Sequence, residues 1–144
     1  MIAIGCDHGG FELKQVIIDY FKSQNIDFED FGCFDKNSVD YPDIAKPVCR
    51  SVLDGKCECG ILVCGTGIGM SIAANKIKGI RAAMCSDSYS AQMTKRHNNS
   101  NILTLGGRVI GPDAAVLVVK SWLEAEFEGG RHQNRIDKIS ALEA

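Results

Sequence analysis

A cysteine directly before a glycine-rich turn is the most chemically suggestive feature of the sequence. The strand-like run GILVC ends at Cys64, and the turn Gly65-Thr66-Gly67-Ile68-Gly69 separates it from a helical pattern that continues to Ile77. Three glycines in five residues permit close backbone approach, and the free amides at a helix N-terminus favour an anion. The same environment favours thiolate over thiol at Cys64, which would make it a nucleophile or a base.

The spacing of these glycines does not fit the two common nucleotide-binding motifs. A Walker A loop requires a lysine directly after its last glycine, and the residue there is Met70. The dinucleotide motif requires Gly-x-Gly-x-x-Gly, whereas the third glycine here comes one residue early. Asp87 follows the next predicted strand, where a ribose-binding acid would lie, so a nucleotide stays an alternative. A turn that needs glycine only for packing is the other alternative.

The remaining cysteines favour burial over chemistry. Seven cysteines are scattered through apolar segments, which indicates free thiols and a cytoplasmic protein. Cys33, Cys49 and Cys85 are interpreted as small buried hydrophobic residues. Cys57 and Cys59 are separated by one residue and have no matching second pair, so we expect no metal site.

Histidines and arginines recur in the predicted turns. The histidines are His8 after the first strand, His97 at the end of the fourth helix, and His132 in the turn that also holds Arg131. Arg131 and Arg135 share a helix face, and Arg108 follows the fifth strand. Guanidinium groups bind a phosphate monoester through paired hydrogen bonds, so we predict a small phosphorylated metabolite as ligand. A solvated basic face is the alternative interpretation.

The order of apolar segments predicts how these residues are positioned. Five strand-like runs, at 1–6, 26–31, 60–64, 80–85 and 102–105, alternate with helical patterns. This alternation is typical of an α/β, doubly wound (Rossmann-like) three-layer αβα sandwich with a five-stranded parallel sheet. Helices are predicted over 11–23, from Asp40 to Gly55, up to Ile77, from Asp87 to His97, from Pro112 to Gly129, and over 134–144. Ligands of such sheets bind at the carboxyl ends of the strands.

Composition narrows the class of protein. The 144 residues are 45% apolar and 24% charged, with a net charge of −2, which predicts one globular domain over 1–144 and argues against a nucleic-acid partner. The longest apolar runs fall well short of the ~20 residues of a membrane span. The N-terminus lacks the basic region of a signal peptide. We therefore expect no membrane association.

Seven segments carry a specific pattern that spans nearly the whole chain. They are GCDHGGFELK (5–14), DYPD (40–43), CGTGIGMSIAANK (64–76), GIRAAMCSDSYSAQM (79–93), RHNNSN (96–101), LGGRVIG (105–111) and GGRHQNR (129–135). In this order they resemble the type B ribose-5-phosphate isomerases, whose family also includes galactose-6-phosphate isomerase subunits.

The resemblance implies interconversion of ribose 5-phosphate and ribulose 5-phosphate through an enediolate, without metal or other cofactor. It implies Cys64 as the base, because Met70 stands where another branch of the family has a glutamate, and His97 as the residue that opens the sugar ring. The hydroxyl of Thr66 and the amides of Gly65, Gly67, Ile68 and Gly69 would form the anion hole. Asp7, His8, Tyr41 and Asn98 would contact the sugar, and Arg108, Arg131 and Arg135 the phosphate.

The family builds its site across a dimer interface, so we expect a homodimer, or a dimer of dimers, with 129–144 as a helical segment at the interface. Two functional alternatives stay open. One is the same chemistry on a six-carbon sugar (allose 6-phosphate, galactose 6-phosphate or an unphosphorylated rare sugar). The other is a non-catalytic domain that senses a nucleotide or metabolite.

Overall fold

A five-stranded parallel sheet forms the centre of the computed structural model, which describes residues 1–143. The strands are β1 (Ile2–Cys6), β2 (Phe28–Asp30), β3 (Cys59–Cys64), β4 (Ala82–Met84) and β5 (Ile102–Gly106), in the spatial order β2-β1-β3-β5-β4. The helices are α1 (Phe11–Ser23), α2 (Tyr41–Leu53), α3 (Ile68–Asn75), α4 (Ser88–Asn98), α5 (Pro112–Glu124) and α6 (Arg131–Ala141). No helix among residues 1–143 is long and apolar enough to span a membrane.

Helices cover both faces of the sheet, as the apolar strands predict. Alternate residues of β1 and β3 belong to two separate cores, and both sets are buried. One core contains Phe21 of α1 and Trp122 of α5, and the other contains Val48 of α2 and Met70 of α3. A strand that is buried on both faces has a continuous run of apolar residues in its sequence. The predicted three-layer αβα sandwich is therefore confirmed.

Because all strands are parallel, the sheet has two chemically different edges. The carboxyl edge carries the turns that follow β1, β3 and β5, at residues 7–10, 65–67 and 107–111. The amino edge carries the ends of the crossover helices, since each helix runs back antiparallel to the strand before it. The end of α4 therefore lies at the amino edge, as does the segment that joins α5 to α6.

The boundaries of several elements differ from the sequence prediction. β2 and β4 are three residues each, where runs of six were predicted; both are edge strands with one unpaired side, and short edges limit unwanted pairing. α5 ends at Glu124, five residues before Gly129. α6 begins at Arg131 and not at residue 134, because Gly129 and Gly130 both adopt positive φ and turn the chain directly into the helix. The predicted end of that helix at Ala144 lies outside the described residues.

Candidate active site

The Cys64 sulfur lies against the glycine turn at the carboxyl edge. Its Sγ accepts a hydrogen bond from the amide of Gly67, at an N···S distance of 3.1 Å, and the residue is buried. Gly67 adopts φ +81°, a left-handed conformation that turns its amide back towards the end of β3. The Gly67 amide therefore fixes the sulfur at the start of the turn.

Several amides of the turn are available to a ligand. The amide of Ile68 donates to Oγ1 of Thr66 at 3.2 Å. By contrast, the amides of Gly65, Thr66 and Gly69 donate to no protein acceptor within residues 1–143. The first amides of a helix have no partner inside it, and they carry the positive end of the helix dipole. Of the four amides predicted to bind an anion, those of Gly67 and Ile68 are thus already engaged, whereas those of Gly65 and Gly69 stay open to a ligand.

Tyr41 closes one side of this turn from the start of α2. A Cβ on Gly69 would lie 2.8 Å from Cζ of Tyr41, so the phenol ring packs directly over the glycine. Tyr41 is 38% exposed, which leaves part of the ring accessible. The absence of a side chain at Gly69 thus allows the close approach of the phenol ring, which a Cβ would displace.

Asp7 and His8 are fixed by hydrogen bonds in the first turn. The Oδ1 atom of Asp7 accepts from the amides of Gly9 and Gly10, at 2.9 and 3.2 Å. Nδ1 of His8 accepts from the amide of Val39 at 3.3 Å, which leaves the ring hydrogen on Nε2 in the neutral form. Both residues line a cleft of about 510 Å³ that Tyr41 also lines.

Arg108 reaches the same edge from the turn after β5. Its amide donates to the carbonyl of Gly65 at 3.0 Å, and its Nη1 would lie 3.6 Å from a Cβ on that glycine. A cavity of about 220 Å³ is lined by His8 and Arg108, and also by Lys36, which pairs with Glu12 at 2.5 Å. Sequence reasoning missed Lys36, which stands in an exposed loop without any helical or strand pattern.

The other predicted site residues lie at the opposite edge. His97 and Asn98 end α4, while Arg131 and Arg135 are exposed on the first turns of α6. Asn98 lines a separate cavity of about 610 Å³ next to Arg81, whose Nε donates to its carbonyl at 3.1 Å. One chain therefore does not bring these four residues to Cys64, because α4 carries its last turn the full length of the sheet away from the carboxyl edge.

His97 belongs to a compact charged cluster at the amino edge. Its ring stacks on that of His132, with centroids 4.2 Å apart and planes 11° from parallel. Glu128 faces both rings, and its carboxylate also accepts from Nε of Arg96 at 2.6 Å. That hydrogen bond holds the pKa of Glu128 below its usual value, while burial, followed by the charge of His97, lowers the pKa of His132.

The ligand atoms of His97, Glu128 and His132 lie within 4.8 Å of one another, close enough to be considered as a metal site. The nitrogen lone pairs of two stacked rings, however, lie in two nearly parallel planes and therefore do not converge on one point between the rings. One oxygen of the carboxylate is already hydrogen-bonded to the Arg96 guanidinium. The arrangement is therefore a poor match to a metal centre.

Other cysteines are held in environments that keep them protonated. Burial raises the pKa of Cys6 to about 12, and raises the pKa of Cys49, Cys59 and Cys85 to about 11. Cys57 and Cys59 pack into the cores on opposite faces of the sheet, so they do not form a common ligand pair. The interpretation of Cys33, Cys49 and Cys85 as buried residues is confirmed.

Comparison with known proteins gives a consistent result. A family model described as Ribose/Galactose Isomerase matches residues 2–139. The ribose-5-phosphate isomerase B of Escherichia coli is 47% identical over 142 residues, covering 99% of this chain and 95% of that protein. A Clostridium thermocellum ribose-5-phosphate isomerase B structure matches with a TM-score of 0.97 at 52% identity, covering 99% and 96% of the two chains. A Mycoplasma genitalium ribose-5-phosphate isomerase B structure with bound ribulose-5-phosphate matches with a TM-score of 0.93 at 40% identity, covering 99% and 95%.

Proposed function

The chain belongs to the ribose/galactose isomerase family, and from that membership we propose that it interconverts D-ribose 5-phosphate and D-ribulose 5-phosphate. The observation that carries the proposal is the hydrogen bond from the Gly67 amide to the Cys64 sulfur. It joins a base to a turn with free amides, beside the guanidinium of Arg108. Proton transfer next to the carbonyl of a phosphorylated sugar requires these three groups together.

The reaction divides into two proton transfers. The Cys64 thiolate takes the proton from C2 of the open-chain aldose, the C–H electron pair forms the C1=C2 double bond, and the carbonyl pair moves onto O1. Free amides at Gly65, Thr66 and Gly69, together with the Thr66 hydroxyl, stabilise the resulting enediolate oxygen. One pre-aimed donor of this kind contributes about 2.7–4 kcal/mol to the transition state. The thiol then returns its proton to C1 while a proton passes from O2 to O1.

The groups assigned to ring opening and to the phosphate divide between the two sheet edges. Arg108, Asp7, His8 and Tyr41 lie with Cys64, whereas His97, Asn98, Arg131 and Arg135 lie at the amino edge. A complete site therefore requires the amino edge of one copy to meet the carboxyl edge of another. We infer a homodimer with two such shared sites, as an isologous pair of subunits provides.

Exposed apolar side chains support this assembly. Ile68 and Ile72 of α3 are 50% and 59% exposed, directly beside the glycine turn. Tyr89, near the start of α4, is 71% exposed. Large apolar side chains grouped around a polar site are typical of a protein interface. A partner that covers them would also exclude water from the enediolate.

Turnover of ribose 5-phosphate, with the product identified by NMR, tests the proposed function. Cys64→Ala should abolish ketose formation while ribulose 5-phosphate still binds in calorimetry, because the variant removes the base and leaves the amides and arginines. Cys49→Ala, which also removes a buried thiol, is the matched control and should stay active. Substantial turnover by Cys64→Ala would remove Cys64 from the role of base. A wild-type protein that forms ketose only from a six-carbon sugar, or that binds a nucleotide and forms none, would favour the alternatives.

A further inference from the structure

Glu128 binds the end of α4 through both its backbone and its side chain, and its carboxylate also faces His132 at the start of α6. Its amide donates to the carbonyl of Arg96 at 3.0 Å, and its Oε2 accepts from Nε of the same arginine at 2.6 Å. The residue stands in the extended segment between α5 and α6, where no helix fixes it. These two bonds therefore determine where its second carboxylate oxygen lies.

That second oxygen faces both imidazole rings of the cluster. Oε1 lies 3.7 Å from Nε2 of His97 and 3.5 Å from Nε2 of His132, just beyond ordinary hydrogen-bond range. The two rings are stacked, and His132 is 93% buried, so His132 forms a fixed wall for the His97 ring. The orientation of His97 is thus set by one carboxylate and one buried ring.

The charges around the cluster make this carboxylate important. Arg96 precedes His97 in α4, and the charges of Arg131 and Arg135 in α6 lower the pKa of His132, whose ring is stacked on that of His97. The arginines of α6 therefore oppose positive charge on the His132 ring of this stacked pair. Glu128 is the acidic group placed against the ring, and its hydrogen bond with Arg96 keeps it ionised at neutral pH.

We propose that Glu128 is a positioning residue for ring opening: it orients His97 and stabilises the imidazolium that forms there. The inference rests on the proposed function. In that step His97 takes the proton of the anomeric hydroxyl, the oxygen's electron pair forms the C1 carbonyl, and the C1–O4 bond breaks. The ring oxygen O4 then receives the proton from the imidazolium. The carboxylate acts while His97 is charged and makes no contact with the enediolate.

If Glu128 acts only on ring opening, Glu128→Gln should slow ring opening and leave the enediolate step unchanged. The substitution keeps the shape of the side chain and removes its charge. We expect turnover of saturating ribose 5-phosphate, which is mostly cyclic, to fall by roughly tenfold, below the ~10²-fold or more that general acid–base catalysis contributes as a whole. Ribulose 5-phosphate has its C5 oxygen esterified and cannot form a furanose, so its reactions bypass ring opening.

Hydrogen exchange measures the enediolate step without ring opening. In D2O the enzyme exchanges the C1 hydrogen of ribulose 5-phosphate through the enediolate, and proton NMR follows the loss of that signal. Glu128→Gln should leave this exchange within about twofold of wild type. Glu128→Asp, which keeps the charge, should recover part of the turnover. Glu126→Gln, an exposed carboxylate in the same segment, is the matched control and should change neither rate.

The outcomes separate the inference from the function on which it rests. Equal loss of turnover and exchange in Glu128→Gln would overturn the positioning role, because a general structural defect affects both. Unchanged turnover would overturn it as well. A wild-type protein that shows neither turnover nor exchange would instead refute the proposed function. Circular dichroism and thermal unfolding of each variant confirm that the fold is intact.

Discussion

Subunit complementation tests the central consequence of the divided site. Cys64→Ala removes the base at the carboxyl edge, and His97→Asn removes the ring-opening group at the amino edge. If each site takes one edge from each copy, a heterodimer of the two variants holds one site with both substitutions and one site with neither. Random pairing of equal amounts gives half heterodimers, so the mixture should recover about one quarter of wild-type activity.

The assay requires subunits to exchange, either by co-expression with two tags or by joint refolding. Ribose 5-phosphate turnover is then measured for each variant alone and for the mixture. A mixture of Cys64→Ala with the double variant Cys64→Ala/His97→Asn is the matched control, because it contains no chain with Cys64 and cannot form an intact site. Activity no greater than the mean of the separate variants would refute the shared site and place the complete chemistry within one chain.

Two further substitutions test single contacts. Asp30→Asn removes the carboxylate that faces the fully buried Lys14 ammonium at 2.8 Å, and the free energy of unfolding should fall by about 3 kcal/mol, since an unpaired buried charge is strongly destabilising. Urea denaturation measures this loss. The control is Glu29→Gln, which breaks the exposed ion pair with Lys56 and should lower the free energy of unfolding by less than about 1 kcal/mol. Equal losses in the two variants would contradict the reasoning. Arg135→Ala should raise KM for ribose 5-phosphate by roughly tenfold or more with a smaller change in kcat, as expected for a lost hydrogen bond to a charged group. Lys138→Ala, one turn further along α6, should leave KM unchanged, and an unchanged KM in Arg135→Ala would exclude that arginine from the phosphate site.

The fold was predictable because its signals are local. Strands buried on both faces read as uninterrupted apolar runs, and α1 spans the predicted residues 11–23 without change. The edge strands were predicted too long, since residues such as Ile26 and Ile80 are apolar but contribute to turns and not to a ladder. Hydrophobicity alone does not distinguish an apolar turn from the end of a short edge strand.

The sequence predicted which residues belong to the candidate site better than it predicted how they are arranged. Cys64 and the glycine turn are adjacent in sequence, so their contact follows from a strand-to-helix turn. The separation of His97 from Cys64 follows from the parallel sheet, because the last turn of a crossover helix lies at the amino edge, but the stacking of His97 on His132 is a contact between helices that the sequence pattern does not reveal. Glu128 was missed because a single acidic residue in an extended segment carries no pattern. Its proposed role depends on the contact with Arg96, a residue 32 positions earlier in the chain.

The Asp7 carboxylate both stabilises the first turn and borders the candidate ligand cleft. One of its oxygens organises the 3₁₀ turn by accepting from two consecutive amides, and this side chain also borders the cleft. Its second oxygen makes no protein hydrogen bond within residues 1–143 and is available to a hydroxyl group. A substitution at Asp7 would therefore change the cleft wall and at the same time loosen the backbone turn that carries the neighbouring His8 imidazole.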